Sequence, residues 1–88
     1  MKEKKKSFDS YSKNPLKDEV RKAMNRYFNQ LDQKNTPINV YNLVLKEVEP
    51  PLLNSVMKFC NNNQSKAARI LGINRTTLRT KLKKYKIS

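Results

Sequence analysis

The chain has 88 residues, of which 20 are Lys or Arg and 7 are Asp or Glu, so its formal net charge is +13. This length allows one domain, or one domain with a tail, and this charge favours a polyanionic partner, either nucleic acid or an anionic membrane surface. There is no histidine, and Cys60 is the single cysteine, so an internal disulfide is excluded. We expect no metal, no cofactor and no enzymatic activity, because histidine, a common metal ligand and general base, is absent and only one thiol is present.

The start of the chain is basic and polar. No apolar segment follows its lysines, so we expect no signal peptide, no membrane span and a cytoplasmic location. Residues 1–14 predict a flexible basic arm with little to bury. Pro15 suits the first turn of a helix, and the apolar spacing behind it predicts a helix from Leu16 to about Asp32. Its apolar face comprises Leu16, Val20, Ala23, Met24, Tyr27, Phe28 and Leu31.

A second helix is predicted after a loop from Gln33 to Ile38. Asn39 is expected to cap this helix, and its apolar positions continue to Cys60. Pro50-Pro51 lies in the middle, where each proline costs about 3 kcal/mol, so the segment forms either two helices or one long kinked helix. The apolar phase crosses the prolines without a slip, which favours the kinked helix.

The end of the chain has the pattern of a helix-turn-helix. A short helix is predicted from Gln64 to Leu71, and a last helix from Arg75 to about Lys86. Gly72, the only glycine in the chain, lies between them and can adopt the positive φ of a tight turn without steric cost. We divide the chain into a flexible basic arm (1–14), a helical core (15–62) and a helix-turn-helix region (63–88).

Charge distinguishes the two parts of the chain. All seven acids precede Pro50, whereas nine basic residues and no acid follow it. The C-terminal segment is therefore expected to face the polyanion.

Arg75 and Arg79 lie four residues apart on one face of the last helix, and arginine can bond guanine O6 and N7 in the major groove. Lysines of the same helix are expected to neutralise backbone phosphate, while the N-terminal amides of the preceding helix can hold another phosphate.

From Pro15 onward the sequence resembles the Fis (factor for inversion stimulation) family of nucleoid-associated DNA-binding proteins. The apolar first half resembles the Fis dimerisation core. The helix-turn-helix also resembles the output domain of enhancer-binding transcription activators, which remains an alternative. The residues that carry the resemblance are Leu43–Glu49, Pro51–Leu53, Asn63–Gln64, Ala67–Ala68, Gly72–Arg79 and Lys81–Tyr85.

The resemblance implies an all-α protein with a four-helix protomer, a C-terminal helix-turn-helix and an intertwined homodimer. It also implies a transcriptional regulator whose two recognition helices lie closer than one DNA turn, so that degenerate duplex sites must bend. Arg75 would be the main base contact. By position, the implied DNA-binding residues are Asn63, Ser65, Asn74, Arg75, Thr77, Arg79, Lys81, Lys83 and Lys84.

Three departures limit what the resemblance implies. Thr80 stands where the family usually has lysine, which removes one expected phosphate contact. Asn61 and Asn62 replace the arginine and glycine at the site that touches RNA polymerase, which argues against that partner. The stretch before Pro15 lacks the pattern of the family's β-hairpin arms, so stimulation of DNA invertases is not implied.

Two other classes of function remain open from the residues themselves. An RNA-binding protein is expected to expose aromatic side chains for stacking, whereas here the aromatics mostly fall on apolar faces. A membrane-surface protein needs a broad apolar face, and the stripe of Leu78, Leu82 and Tyr85 is narrow. Both observations favour double-stranded DNA and argue against a membrane partner.

Overall fold

The structure is a computed structural model that describes Phe8, residues 13–32, Lys34 and residues 36–87. Within these ranges the chain forms helices joined by loops and no strand, which confirms the predicted all-α class and the C-terminal helix-turn-helix. Most of the predicted basic arm lies outside the described residues. The four helices are α1 (Leu16–Gln30), α2 (Val40–Phe59), α3 (Gln64–Leu71) and α4 (Arg75–Lys84).

The chain divides into two compact units, residues 1–36 and residues 37–88, and α1 belongs to the first. This helix begins where predicted, because the Pro15 carbonyl accepts the N–H groups of Asp18 and Glu19 at 3.0 and 3.1 Å. It ends two residues earlier than predicted, since Leu31 is extended, with ψ of 140°. No residue of α1 is buried, so its apolar face remains accessible.

Helix α2 runs without interruption through Pro50 and Pro51. The prediction of one long helix is confirmed and the alternative of two separate helices is wrong, while the kink stays a prediction. Asn39 precedes the helix as expected, but its side chain makes no capping bond. A capping side chain requires a backbone in the β region, whereas Asn39 is left-handed with φ of 57°. The start of α2 is instead closed by the Asn39 carbonyl, which accepts the Leu43 N–H at 3.0 Å.

Helices α2, α3 and α4 end with the same backbone motif. The first or second residue beyond each helix adopts positive φ. The backbone N–H of the residue that follows it donates to the carbonyl five residues earlier, as in a Schellman motif. The left-handed residues are Asn61 (φ 51°), Gly72 (φ 75°) and Lys86 (φ 56°). The bonds run from Asn62 to Met57 (2.8 Å), Ile73 to Ala68 (3.0 Å) and Ile87 to Leu82 (2.8 Å). This motif ends α4 at Lys84, two residues before the predicted end.

The core of the second unit is formed by α2, α3 and α4. Cys60 is among its members and is a free, buried cysteine. Leu78, on α4, is the most deeply enclosed large side chain. The buried residues are Leu53, Met57, Cys60, Ala67, Ala68, Leu78 and Leu82, and the half-buried Val56, Leu71, Ile73, Tyr85 and Ile87 pack against them. No helix within the described ranges combines the length and the apolar composition that crossing a bilayer requires.

Candidate nucleic-acid interface

The turn between α3 and α4 is a short, rigid connection. Gly72 donates its N–H to the carbonyl of Ala68 at 2.9 Å and adopts the positive φ that was predicted for it. The side chain of Asn74 then caps α4, since its Oδ1 accepts the Thr76 N–H at 2.7 Å. Small residues on α3 permit close approach to α4, because Ala67 and Ala68 are only 0% and 5% exposed. The turn therefore holds α4 in a defined orientation on α3.

The N-terminus of α3 displays polar groups at the position expected for phosphate binding. Asn63 lies in the β region, and its Oδ1 accepts the Lys66 N–H at 3.1 Å. Ser65 follows in the first turn and is exposed. Free backbone N–H groups and the helix dipole favour an anion at such an end. The side chain of Asn63 thus caps α3, while its contact with phosphate stays a prediction.

The outer face of α4 is basic and accessible. Leu78 and Leu82, which belong to the narrow apolar stripe of this helix, point into the core and are 0% and 3% exposed. The N-terminal Arg75 and Thr77 are both exposed. Arg79 is exposed as well and shares a shallow depression of about 190 Å³ with Thr76, Thr80 and Lys83. Hydroxyl and guanidinium donors thus lie side by side on one accessible surface.

Two details refine this face. The Thr80 Oγ1 donates to the Thr76 carbonyl at 3.0 Å, so its hydroxyl proton is bound within the helix. Lys83 and Lys84 are exposed, and the Lys84 Nζ lies 5.3 Å from the centre of the Tyr85 ring. A cation above an aromatic face keeps its charge, so both lysines still present a positive charge to solvent.

Lys81 is placed differently from the other predicted contacts. Its Nζ lies 2.8 Å from the Glu49 Oε2, and the other carboxylate oxygen, Oε1, accepts the Tyr85 hydroxyl at 2.6 Å. The hydrogen bond from Lys81, followed by that from Tyr85, lowers the pKa of Glu49 below its usual 4.5. The same carboxylate raises the pKa of Tyr85 above 10.0. Lys81 is half-buried, whereas the other eight predicted contacts are exposed.

Glu49 is the residue of this region that the sequence prediction missed. It lies 32 residues before Lys81, so no local spacing links the two. Two signals were present in the sequence: Glu49 is the last acid before the acid-free segment, and Lys81 and Tyr85 have the four-residue spacing that places side chains on one helical face.

Positive charge on the second unit is largely uncompensated. Residues 37–88 contain ten Lys or Arg and only two acids, Glu47 and Glu49. Among the described residues of this unit, Lys81 and Glu49 form the one ion pair. The remaining basic side chains therefore produce a positive potential that attracts a polyanion.

Comparisons with known proteins agree with this arrangement. A family model described as "Bacterial regulatory protein, Fis family" matches residues 44–85. A second model, "DNA-binding protein Fis N-terminal domain", matches residues 2–36. Proteins named DNA-binding protein Fis from Proteus mirabilis, Sodalis glossinidius and Yersinia enterocolitica are each 49% identical over 79 residues, which cover 90% of this chain and 80% of theirs.

Proposed function

The chain belongs to the Fis family of DNA-binding proteins, and from this premise we propose that it is a nucleoid-associated regulator that binds double-stranded DNA with α4 in the major groove. The observation that carries the proposal is the exposed basic face of α4, held by the Gly72 turn above a buried apolar face. A major groove admits one α-helix, and the N-terminal residues of a recognition helix reach the base edges.

The contacts divide by chemistry into base readout and phosphate binding. Arg75 and Arg79 are the proposed base contacts, because their planar guanidinium groups can bond guanine in a bidentate manner. Thr77 meets phosphate or a thymine methyl. The flexible lysines neutralise the backbone, and the caps Asn63 and Asn74 act together with helix N-termini. The proposed interface comprises Asn63, Ser65, Asn74, Arg75, Thr77, Arg79, Lys83 and Lys84; Lys81 is treated separately below.

The protein acts as a homodimer in this proposal. Large apolar side chains of α1 and of the first part of α2 remain accessible: Leu16 is 44%, Phe28 50% and Tyr41 76% exposed. A second copy of the chain would cover these faces, and a chain of this size is marginal without such burial. Paired recognition helices closer than one DNA turn would require the DNA to bend, so that deformability contributes to site choice.

The oligomeric state can be tested at α1 by sedimentation. Phe28→Asp places a charge on the apolar face and is expected to halve the sedimenting mass at micromolar concentration, because the charge would be buried unpaired. Asn25→Asp adds the same charge at an exposed position of the same helix and should leave the mass unchanged. A wild-type protein that sediments as a folded monomer would contradict the dimer.

The ligand class can be tested by parallel titration. Fluorescently labelled duplex DNA, single-stranded RNA and anionic vesicles are titrated with the protein in one buffer at low salt. We expect tightest binding to the duplex and position-dependent mobility of permuted duplexes in gels. Equal or tighter binding to the RNA or the vesicles would overturn the proposal in favour of those partners.

A further inference from the structure

Glu49 joins α2 to the end of α4 by two hydrogen bonds. Its Oε2 accepts the Lys81 ammonium at 2.8 Å, and its Oε1 accepts the Tyr85 hydroxyl at 2.6 Å. The Glu49 side chain is only 15% exposed and that of Lys81 31%. These are the polar side-chain bonds between α2 and α4 in the part of the chain that the structure describes.

We propose that Glu49 is a positioning residue that fixes the orientation of α4, and that Lys81 serves this clamp rather than a DNA phosphate. By the clamp we mean Glu49, Lys81 and Tyr85. The inference rests on the DNA-binding function proposed above, and it assigns to Lys81 a role different from the one predicted from the sequence.

The clamp controls the rotation of α4 about its own axis. The buried side chains of Leu78 and Leu82 hold α4 against the core of the second unit, but apolar packing is non-directional. A carboxylate that binds two side chains four residues apart adds a directional constraint on one face of the helix. Since an α-helix turns by about 100° per residue, Arg79 points roughly to the opposite side from Lys81. Fixing Lys81 inward therefore directs Arg79 outward.

The clamp also removes one positive charge from the DNA-binding surface. A lysine contributes to the salt dependence of binding when it replaces counterions at a phosphate. Lys81 already has the Glu49 carboxylate as its counter-charge. We therefore expect it to displace few counterions from the DNA when the protein binds. Lys83 is exposed on the same helix and has no carboxylate partner among the described residues. The two lysines are therefore a matched pair that differs in the presence of an acid.

The first experiment compares Lys81→Gln with Lys83→Gln in the full-length protein. Each removes one positive charge from α4. The affinity for one duplex is measured over a range of salt concentrations. Lys83→Gln is expected to reduce the slope of log K against log[salt] by about 0.9 per bound chain, whereas Lys81→Gln leaves the slope unchanged. An equal reduction in both variants would overturn the proposal.

The second experiment exchanges the charges. Lys81→Glu alone places two carboxylates together and is expected to lower the affinity by about tenfold, within the range for coupled contacts. The double variant Glu49→Lys/Lys81→Glu has the wild-type net charge and re-forms the pair, so it should recover the affinity to within about threefold. If Lys81 instead bound phosphate, the double variant would stay as weak as Lys81→Glu, which would refute the clamp.

A third measurement separates positioning from stability alone. At a temperature where circular dichroism shows the protein fully folded, Glu49→Gln is expected to lower the affinity for a preferred duplex more than for a random one. The ratio of the two affinities would stay at the wild-type value if Glu49 only stabilised the fold, and that result would overturn the positioning role.

A cycle of Glu49→Gln, Lys81→Gln and the double variant, measured by thermal unfolding without DNA, completes the test. We expect the change in stability of the double variant to differ from the sum of the changes in the two single variants. A change equal to that sum would show that there is no clamp. If the wild-type protein failed to bind duplex DNA while this cycle still showed coupling, the proposed function would fall and the clamp within the fold would remain.

Discussion

Helix α1 and the second unit, which contains the helix-turn-helix, differ in the burial of their apolar side chains. Both regions show apolar residues at helical spacing, yet α1 buries none of its residues, whereas the second unit has seven buried side chains in one core. Helical periodicity therefore identifies an apolar face but does not reveal what covers it. The C-terminal helices form their own core, and the face of α1 needs a further surface, which we have proposed to be a second copy of the chain.

The largest expected effect tests this difference directly. Leu78→Ala removes a fully buried side chain and should lower the free energy of unfolding by about 2–5 kcal/mol through lost burial and a cavity. The loss should be similar at every protein concentration, because the core lies within one chain. Phe28→Ala, on the half-exposed face of α1, should instead destabilise in a concentration-dependent manner. Thermal unfolding at several protein concentrations measures both effects. The same concentration dependence in the two variants would contradict the distinction between a core within one chain and a face covered by a second copy.

The same chemical change in the two regions should affect DNA binding unequally. Arg75→Ala is expected to weaken binding by about 1–3 kcal/mol and to relax base preference, since it removes the proposed base contact. Arg26→Ala removes the same charge from an exposed position on α1 and serves as the control. Titration against preferred and random duplexes measures both effects. Equal losses in the two variants would mean that binding reflects net charge alone.

Backbone strain at the ends of α3 and α4 predicts changes of opposite sign. Gly72→Ala should destabilise the protein by about 1 kcal/mol, because a side chain disfavours positive φ, although the space around the new Cβ is open. Lys86→Gly relieves the same strain at φ of 56° and should stabilise by up to about 1 kcal/mol. Denaturant unfolding measures both, and a stabilising Gly72→Ala would contradict the assigned turn.

The smallest expected effect is a pH dependence from the Glu49 contact. The pKa of Glu49 is lower in the folded protein than its usual 4.5, so its contribution to stability is complete above about 4.5 and is lost as pH falls through the lowered value. The pKa of Tyr85 is raised above 10.0, so its contribution is present below 10 and is lost as pH rises through the raised value. Thermal unfolding of Glu49→Gln across this range should show a flatter pH profile than wild type. A profile of unchanged shape would contradict the contact.

Local signals in the sequence predicted most of the fold. Gln64 to Leu71 was bounded correctly because Asn63 caps its start and Gly72 ends it. The positive φ of Gly72 also followed from residue type alone. The ends of α1 and α4 were each predicted two residues too late, because neither last turn contains a glycine or a proline, and Lys86 adopts positive φ without being a glycine.

Long-range contacts were beyond local reasoning. The ion pair between Glu49 and Lys81 spans 32 residues, and the spacing rules for helices concern neighbours three or four positions apart. Lys81 was therefore grouped with Lys83 and Lys84 as a lysine of the outer face. Likewise, Ile87 packs against the core only because the left-handed Lys86 reverses the chain beyond α4.

The affinity for a short DNA duplex, measured over a range of salt concentrations, tests the account most directly. The wild-type protein should bind at low salt with log K falling linearly as log[salt] rises, and Arg75→Ala/Arg79→Ala should bind far more weakly. A wild-type protein that does not bind the duplex at low salt, or one whose binding is unaffected by the double substitution, would contradict the assignment of α4 as the DNA-binding helix.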